Sequence, residues 1–458
     1  MNPFLCVIIL LRLSVATAVN FTQVYKWNEL DYEWPLEGKR VQALNDGTFK
    51  PENIEPLYMA VYGTRIFLSL EKHIGIPVTL VSLPTSSASS APTKLTPFPS
   101  WDTHKYGNCD KIEKAKGLEV DVVGKLWVLD SGSDHCNSKI WTIDLSNKDH
   151  TKLIHRFPFH YLMHDMVIDE TPNGTFAFIS RMGEQNIVVF SLEKNQSWVL
   201  DTKAVKVLSI ALSPKNQEPR QLYLSKYDSN ELYSISVATL RNGVGTEYRK
   251  LIGKWTANKP HRMLMDNRGT MYAAFSGERY ISSFDASQPF HEQRFYEAGH
   301  IISSFALDSR GTFWMTQFSS AGTKYKYFLL KAAVGAKPYH ISDSRTTDVV
   351  KYSSTDVSTV PSSPVTLNCT CADRKTKEST NSALIGSLAL FLVLSCIFNL
   401  WLTLRTRKLQ NSNEQYYAGA VELEMPALQN PVSPEMVHEE IENDLYGVLT
   451  ALASRPRM

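Results

Sequence analysis

Two dipeptides carry the side chains best suited to proton transfer in this chain, His164-Asp165 and His261-Arg262. A tautomerisation needs an acid and a base whose pKa values lie near neutrality, and a histidine beside an aspartate suits that role. Both dipeptides stand at the start of short apolar runs that are typical of buried strands. The alternative, and the commoner case, is a histidine whose polar groups are satisfied by neighbouring structure or exposed on a loop.

Other motifs for catalysis or cofactor binding are absent from the sequence. It contains no nucleophile elbow, no phosphate-binding loop and no His and Cys set with zinc spacing, and its 12 histidines are scattered. The formal net charge is +2, without a basic patch that would indicate nucleic-acid binding. We therefore expect no cofactor, no metal and no nucleic acid, and the sequence assigns no catalytic residue.

The strands that would position these dipeptides belong to a repeated pattern. In residues 120–145 an apolar strand ends at Asp121, a turn closes on Gly124, and two further short strands follow. An Asp caps such a turn through its side chain, and Gly provides the positive φ that a tight hairpin needs. Three further copies carry the same pair at Asp169 and Gly174, Asp266 and Gly269, and Asp308 and Gly311.

Two weaker copies bring the number of repeats to six. One lies at residues 210–235 without the Asp and Gly, and one opens the series at residues 57–83. The copies recur at intervals of roughly 40 to 55 residues, the spacing of four-stranded propeller blades, and none has the Trp-Asp or kelch signature. We predict an all-β fold with a six-bladed β-propeller over residues 19–339. Its innermost strands would direct four polar side chains to the central channel: His164, Asp165, His261 and Arg262.

Segments outside the repeats predict secretion and a membrane anchor. Residues 1–18 have a short apolar core and end in Ala-Thr-Ala, which is typical of a cleaved signal peptide. Residues 340–382 are rich in Ser, Thr and Pro and predict an extended stalk. Residues 383–404 are almost wholly apolar and precede basic residues, so they predict one transmembrane helix. We expect a type I membrane protein with an extracellular propeller and a cytoplasmic tail at residues 405–458; the alternative is a secreted protein.

Sequons and cysteines agree with passage through the secretory pathway. Predicted glycosylation sites are Asn20, Asn173, Asn195 and Asn368. Of the cysteines between the signal peptide and the membrane segment, Cys109 and Cys136 are expected to form a disulfide. Cys369 and Cys371 are separated by one residue and cannot easily bond to each other without strain, so their state stays open.

The predicted tail contains one candidate protein-binding motif. Tyr446-Gly-Val-Leu449 matches the Tyr-x-x-bulky pattern, in which an aromatic and an aliphatic side chain bind a sorting adaptor. A chance match is the alternative. We keep Tyr446 and Leu449 as a candidate adaptor site.

Several long motifs resemble the Yellow and major royal jelly protein family over about residues 23–330. In chain order they are Tyr25-Lys-Trp-Asn-Glu-Leu-Asp-Tyr-Glu-Trp-Pro35, Ser100-Trp101 before Cys109-Asp110, Lys125-Leu-Trp-Val-Leu-Asp-Ser-Gly132, Phe176-Ala-Phe-Ile-Ser180 and Glu193-Lys-Asn-Gln-Ser-Trp198. The resemblance implies a secreted six-bladed propeller, in agreement with the repeats. It also implies an N-terminal strand, near residues 23–27, that completes the last blade.

The functions implied by the resemblance differ among family members. Some resemble dopachrome-converting enzymes of melanin synthesis, some bind biogenic amines in the central cavity, some are pigment-pattern or cuticle proteins, and some are storage or assembly proteins. Many members continue the sixth blade with Ser-Asn-Arg, and that Asn belongs to the amine cavity. Here Gln317 or Phe318 takes its place. Gln317 would keep an amide for the ligand, whereas Phe318 would remove it.

Three hypotheses on function follow, in this order. The first is a ligand-binding protein without catalysis, linked to melanin and cuticle pigmentation or to development, with a small aromatic molecule or a biogenic amine as ligand. The second is a dopachrome isomerase of melanin synthesis, and the third is a cell-surface receptor or adhesion protein. The predicted membrane anchor has no counterpart in the resemblance, and it favours local binding or conversion over a bulk storage role.

Overall fold

The computed structural model describes residues 19–86, 93–160, 162–243, 249–321 and 324–341. These residues form six antiparallel sheets of four strands each. The innermost strand of every sheet contacts the innermost strand of the next, and the last contacts the first, so the sheets surround a central channel as blades. The predicted all-β, six-bladed propeller is confirmed.

The first three blades follow one another along the chain. Blade 1 consists of β2 (Pro56–Tyr62), β3 (Arg65–Leu70), β4 (Leu80–Pro84) and β5 (Thr96–Pro97). Blade 2 consists of β6 (Ala115–Val120), β7 (Lys125–Asp130), β8 (Lys139–Asp144) and β9 (His150–Arg156). Blade 3 consists of β10 (Met163–Thr171), β11 (Gly174–Arg181), β12 (Asn186–Ser191) and β13 (Gln196–Asp201).

The other three blades complete the ring. Blade 4 consists of β14 (Val207–Leu212), β15 (Gln221–Lys226), β16 (Glu231–Ser236) and β17 (Lys250–Lys254). Blade 5 consists of β18 (Pro260–Met265), β19 (Thr270–Phe275), β20 (Tyr280–Asp285) and β21 (Gln293–Glu297). Blade 6 consists of β22 (Ile301–Leu307), β23 (Thr312–Ala321), β24 (Lys324–Ala333) and β1 (Thr22–Trp27). The described helices are short: Glu37–Asn45, Pro51–Asn53, Trp101–Thr103 and Val237–Asn242.

The N-terminal strand closes the ring. Strand β1 pairs antiparallel with β24, with Trp27 opposite Tyr327, and so forms the outer strand of blade 6. The side chains of Tyr25 and Trp27 are buried in the core that blade 6 shares with blade 1. The strand expected near residues 23–27 is therefore confirmed. Since the first and last parts of the chain share one sheet, the ring cannot open without breaking that sheet.

All four predicted Asp-Gly turns connect first and second strands as expected. In three of them, at Asp121, Asp266 and Asp308, the aspartate also caps the turn. One carboxylate oxygen of each aspartate accepts hydrogen bonds from the backbone N–H groups two and four residues later. The other oxygen accepts a hydrogen bond from an aromatic side chain six residues later. These pairs are Asp121 with Trp127 at 2.9 Å, Asp266 with Tyr272 at 3.1 Å and Asp308 with Trp314 at 3.0 Å.

The turn closed by Gly174 is present, but the capping role predicted for Asp169 is wrong. Asp169 lies inside β10, and the turn to β11 is formed two residues further on, between Thr171 and Gly174. The residue opposite Asp169 on β11 is Phe176, whose ring has no hydrogen-bond donor. The carboxylate instead binds two arginines of blade 4, Arg220 and Arg241. It therefore joins two blades and does not cap a turn.

The disulfide prediction is confirmed, and the described sequons are accessible. Cys109 is bonded to Cys136, which joins the segment before β6 to the loop between β7 and β8. The asparagines of three sequons are exposed: Asn20, Asn173 and Asn195. Their glycosylation stays a prediction.

Several predictions concern parts of the chain outside the described residues. They are the signal peptide at residues 1–18, the stalk beyond residue 341, the membrane segment at residues 383–404, the tail at residues 405–458, and the sites Asn368, Cys369, Cys371, Tyr446 and Leu449. Within the described ranges, no helix combines the length and the apolar composition needed to cross a bilayer.

Candidate functional site: the central channel

Two rings of equivalent residues, one residue from each blade, line the channel. The strand registers show which residues are equivalent in the six innermost strands. One set of equivalent residues lies two positions before the turn aspartate, or before the residue that replaces this aspartate in a blade without it. These positions form the upper ring: Ala60, Glu119, Val167, Ala211, Leu264 and Ala306. The positions two residues earlier form the lower ring: Tyr58, Gly117, Asp165, Ser209, Arg262 and Ser304. The upper ring is apolar except for Glu119, whereas the lower ring is mostly polar.

A cavity of about 530 Å³ occupies the end of the channel nearest to the Asp-Gly turns. All six residues of the upper ring line it. Aliphatic side chains from five blades, namely Val61, Val120, Leu212, Met265 and Leu307, add to an apolar surface. Cavities of this size and composition hold small organic ligands in many proteins. We call it the large cavity.

The chain after blade 6 forms one wall of the large cavity. Residues 337–341, the wall segment, line it from Pro338 onwards. The hydroxyl of Tyr339 donates to the carbonyl oxygen of Ile168 at 2.8 Å and accepts from the N–H of Ile168 at 2.9 Å. Lys337 and Asn267 exchange two further hydrogen bonds, at 2.8 and 3.0 Å. The wall segment is thus held by the inner strand of blade 3 and the first turn of blade 5.

Glu119 and His340 place two titratable groups in the large cavity. Atom Oε1 of Glu119 lies 3.7 Å from Nδ1 of His340, and both side chains are largely buried. Burial raises the pKa of the Glu119 carboxyl to about 8, although the positive charge of Arg262 opposes the shift. Burial lowers the pKa of His340 to about 3. At neutral pH both groups are therefore mostly uncharged.

Arg262 and Asp165 form a buried ion pair in the lower ring. Nη1 of Arg262 lies 3.1 Å from Oδ1 of Asp165. The other carboxylate oxygen accepts hydrogen bonds from Oγ of Ser209 at 2.6 Å and from N of Ile210 at 3.1 Å. The guanidinium lies 5.0 Å from the ring centre of Tyr58. Since Arg262 lines the large cavity and also a smaller one of about 30 Å³, this pair stands between the two.

His164 and His261 line the small cavity together with Arg262. Burial lowers the pKa of His261 to about 4 and that of His164 well below its usual value, so both rings are neutral. Nε2 of His261 lies 3.3 Å from the carbonyl oxygen of Ser303, and because a carbonyl only accepts, Nε2 carries the proton. The carboxylate of Asp165, in contrast, is held by blades 4 and 5. The structure therefore joins three of the predicted residues at one cavity, but it puts His164 and Asp165 in separate environments.

Of the two residues that follow the core of the sixth blade, only Phe318 reaches a channel cavity. Phe318 lines the small cavity. The side chain of Gln317 is buried elsewhere, with Nε2 at 3.3 Å from Sδ of Met315 and a hydrogen bond to Tyr296. The small cavity thus has an aromatic side chain where the family resemblance implies an amide.

Sequence reasoning missed Glu119, Tyr339 and His340. A signal for Glu119 was present, because aligning the repeats on Asp121 and its equivalents puts one carboxyl among apolar residues. No local pattern marks Tyr339 or His340, which follow the last repeat where the predicted propeller ends and the predicted stalk begins. Only the folded chain brings these two residues to the channel.

Parts of the chain are similar to known proteins. The family profile described as Major royal jelly protein matches residues 115–207 and 202–299. Protein yellow of Drosophila simulans is 24% identical over 269 residues, which are 50% of this chain and 50% of that protein. Protein yellow of Drosophila subobscura is 25% identical over 272 residues, 50% of this chain and 47% of that protein. The chain thus aligns with about half the length of these relatives.

Solved structures show weaker similarity. Virginiamycin B lyase from Staphylococcus aureus has 14% sequence identity and a TM-score of 0.39, covering 65% of this chain and 82% of that one. A luciferin-regenerating enzyme has 11% identity and a TM-score of 0.42, covering 66% of this chain and 96% of that one. The family profile, in contrast, covers four consecutive blades, from the first residue of β6 to the end of β21. Over these four blades the chain is similar to the Yellow and major royal jelly protein family.

Proposed function

We propose that this chain is an extracellular Yellow-family propeller that binds a small ligand without converting it, in melanin and cuticle pigmentation or in development. The observation that carries the proposal is the apolar cavity of about 530 Å³ at the turn end of the channel. Its size suits a small aromatic molecule, with or without an amino group. The link to pigmentation rests on the family resemblance, which implies pigment-pattern and cuticle proteins among its members.

Three of the polar residues that the sequence predicted for the channel support binding rather than catalysis. A general acid or base works best when its pKa lies near the working pH and the group can reach the substrate. His164 and His261 are buried and neutral, and the carboxylate of Asp165 already accepts hydrogen bonds from two donors of blade 4 and from Arg262. The contacts of Asp165 and His261 join neighbouring blades, which gives these two residues a structural role.

The proposed location is the cell surface, with the propeller outside and the tail at residues 405–458 in the cytosol. Support comes from the signal-peptide pattern, the apolar run at residues 383–404, the disulfide between Cys109 and Cys136 and the exposed sequons. In the proposed tail, Tyr446 and Leu449 would bind a sorting adaptor. In intact cells, protease should remove a tag placed after Val19 and spare a tag placed after Met458. Release of the full-length protein into the medium would refute the anchor.

Filling the large cavity tests the ligand-binding function. Ala306 and Ala211 lie in the upper ring, so Ala306→Leu or Ala211→Leu should weaken the binding of aromatic ligands at least tenfold, measured by calorimetry on the full-length protein in detergent. The matched control, Val199→Leu, enlarges an exposed side chain of β13 and should leave binding unchanged. Equal binding by all four proteins would show that the ligand lies elsewhere.

A dopachrome isomerase is the second candidate, and Glu119 favours it. A carboxyl with a pKa of about 8, facing a cavity beside a neutral His340, is able to donate and accept a proton near neutral pH. The test follows the loss of the visible absorbance of dopachrome, against heat-treated protein. Acceleration that disappears in Glu119→Gln and persists in His164→Ala would establish this candidate. No acceleration over the heat-treated sample would exclude it.

A further inference from the structure

The wall segment crosses the turn end of the channel from one side to the other. At its start, Lys337 exchanges two hydrogen bonds with Asn267 in the first turn of blade 5. Further along, Nδ1 of His340 lies 3.7 Å from Oε1 of Glu119 on the inner strand of blade 2. Blades 2 and 5 lie opposite each other in the ring of six. The wall segment therefore runs across the mouth of the large cavity and does not follow its rim.

Side chains fasten the wall segment at two points of this crossing. Oδ1 of Asn267 accepts a hydrogen bond from the N–H of Lys337 at 3.0 Å. The hydroxyl of Tyr339 bonds both backbone groups of Ile168 in blade 3, at 2.8 and 2.9 Å. None of the six described sheets includes the wall segment, whereas the inner strands pair with their neighbours along most of their length. A segment outside the sheets opens locally at a lower free-energy cost than a paired strand.

The opposite end of the channel is obstructed by buried side chains of the lower ring. The ion pair of Arg262 with Asp165 and the ring of Tyr58 stand between the large cavity and that end, and all three are buried. Beyond them lies the small cavity of about 30 Å³, which has room for about one water molecule. An aromatic ligand coming from that end would have to separate a buried ion pair. Entry at the turn end requires only that the wall segment release its bonds.

We propose that the wall segment is a gate, which lifts to let a ligand enter or leave the large cavity and closes when Tyr339 binds Ile168 again. The proposal rests on the proposed ligand-binding function and concerns the regulation of that site, whatever the ligand. The same bonds close the gate over the free and the occupied cavity. Weakening them therefore speeds association and dissociation by the same factor, and the dissociation constant, which is the ratio of the two rates, does not change.

Tyr339→Phe tests the gate because it keeps the aromatic ring at the cavity and removes the hydroxyl. The probe is 7-methoxycoumarin, an uncharged aromatic molecule that accepts excitation energy from tryptophan. Stopped-flow mixing with the full-length protein in detergent gives the association rate, and dilution of the complex gives the dissociation rate. Ala306→Leu, in which the cavity is filled, supplies the background signal of probe in the detergent. In Tyr339→Phe both rates should rise roughly tenfold or more, because two hydrogen bonds of the closed gate are lost, while the dissociation constant stays the same.

A second variant and a matched control complete the test. Asn267→Ala loosens the other fastening and should by itself raise both rates. Tyr233→Phe removes a hydroxyl that donates to Glu231 at 2.9 Å in blade 4, so it should leave both rates unchanged. Wild-type rates in Tyr339→Phe would overturn the gate and leave the ligand-binding function intact. A rise in the dissociation rate alone would do the same, because a residue that only contacts the ligand alters affinity. A wild type with no more energy transfer than Ala306→Leu would refute both.

Discussion

Replacement of Glu119 by Gln should change how the stability of the propeller depends on pH. The folded protein holds the Glu119 carboxyl at a pKa of about 8, whereas the ordinary value is 4.5. Between these two pH values the unfolded chain releases the proton and the folded protein keeps it. The unfolded state therefore binds fewer protons, and this carboxyl makes the wild type less stable as the pH rises through that range. Gln does not ionise, so the stability of the variant does not fall for this reason as the pH rises.

The size of the effect follows from the same two pKa values. Linkage gives a difference of about 4 kcal/mol in the free energy of unfolding between wild type and variant, accumulated from about pH 5 to about pH 9. The two proteins should be similar at pH 5, where the carboxyl is protonated in the folded state. At pH 9 the variant should be more stable. All other titrating groups are shared, so their effects cancel in the comparison.

Urea unfolding followed by tryptophan fluorescence measures this difference. Full-length wild type and Glu119→Gln are compared at several pH values, with Glu278→Gln as a control that should follow the wild type. A gap between wild type and variant that stays below about 1 kcal/mol at every pH would refute the reasoning, since a one-unit pKa shift already corresponds to 1.4 kcal/mol. It would mean that the carboxyl is well hydrated in the folded protein.

The remaining predictions concern contacts that join or shape the blades. Cys136→Ser breaks the bond to Cys109 and should lower the free energy of unfolding by about 3 kcal/mol under non-reducing conditions, with no further loss on adding reductant. Arg262→Met leaves the buried carboxylate of Asp165 without its cation and should cost about 3 to 5 kcal/mol; adding Asp165→Asn should recover part of that loss in a double-mutant cycle. Asp308→Ala removes the bonds that a first turn makes to two backbone N–H groups and to Trp314, and should cost about 3 kcal/mol, whereas Asp285→Ala in an exposed turn should cost less than about 1 kcal/mol by the same urea assay.

The repeat pattern was enough to predict the six blades because the interactions that form each blade are local. An apolar strand, an aspartate, a glycine and a second apolar strand lie within about 12 residues of one another, so neighbouring strands pair by a short turn. Asp169 shows the limit of this reasoning. It has the same sequence context, but Phe176 offers no donor, and two arginines from another blade take the carboxylate instead. That choice depends on contacts between residues 51 and 72 positions apart.

The candidate site depended far more on tertiary structure. The sequence by itself determined the strands that carry His164, Asp165, His261 and Arg262, the position of Glu119 in its repeat, and the pair Cys109 and Cys136. Only the closed ring decided that Asp165 binds Arg262 from two blades further along the chain, and that His340 approaches Glu119 from beyond the last repeat. Burial at the cavity formed by the inner strands and the wall segment raises the pKa of Glu119. Burial of this kind is a property of the assembled channel, and no single repeat contains it.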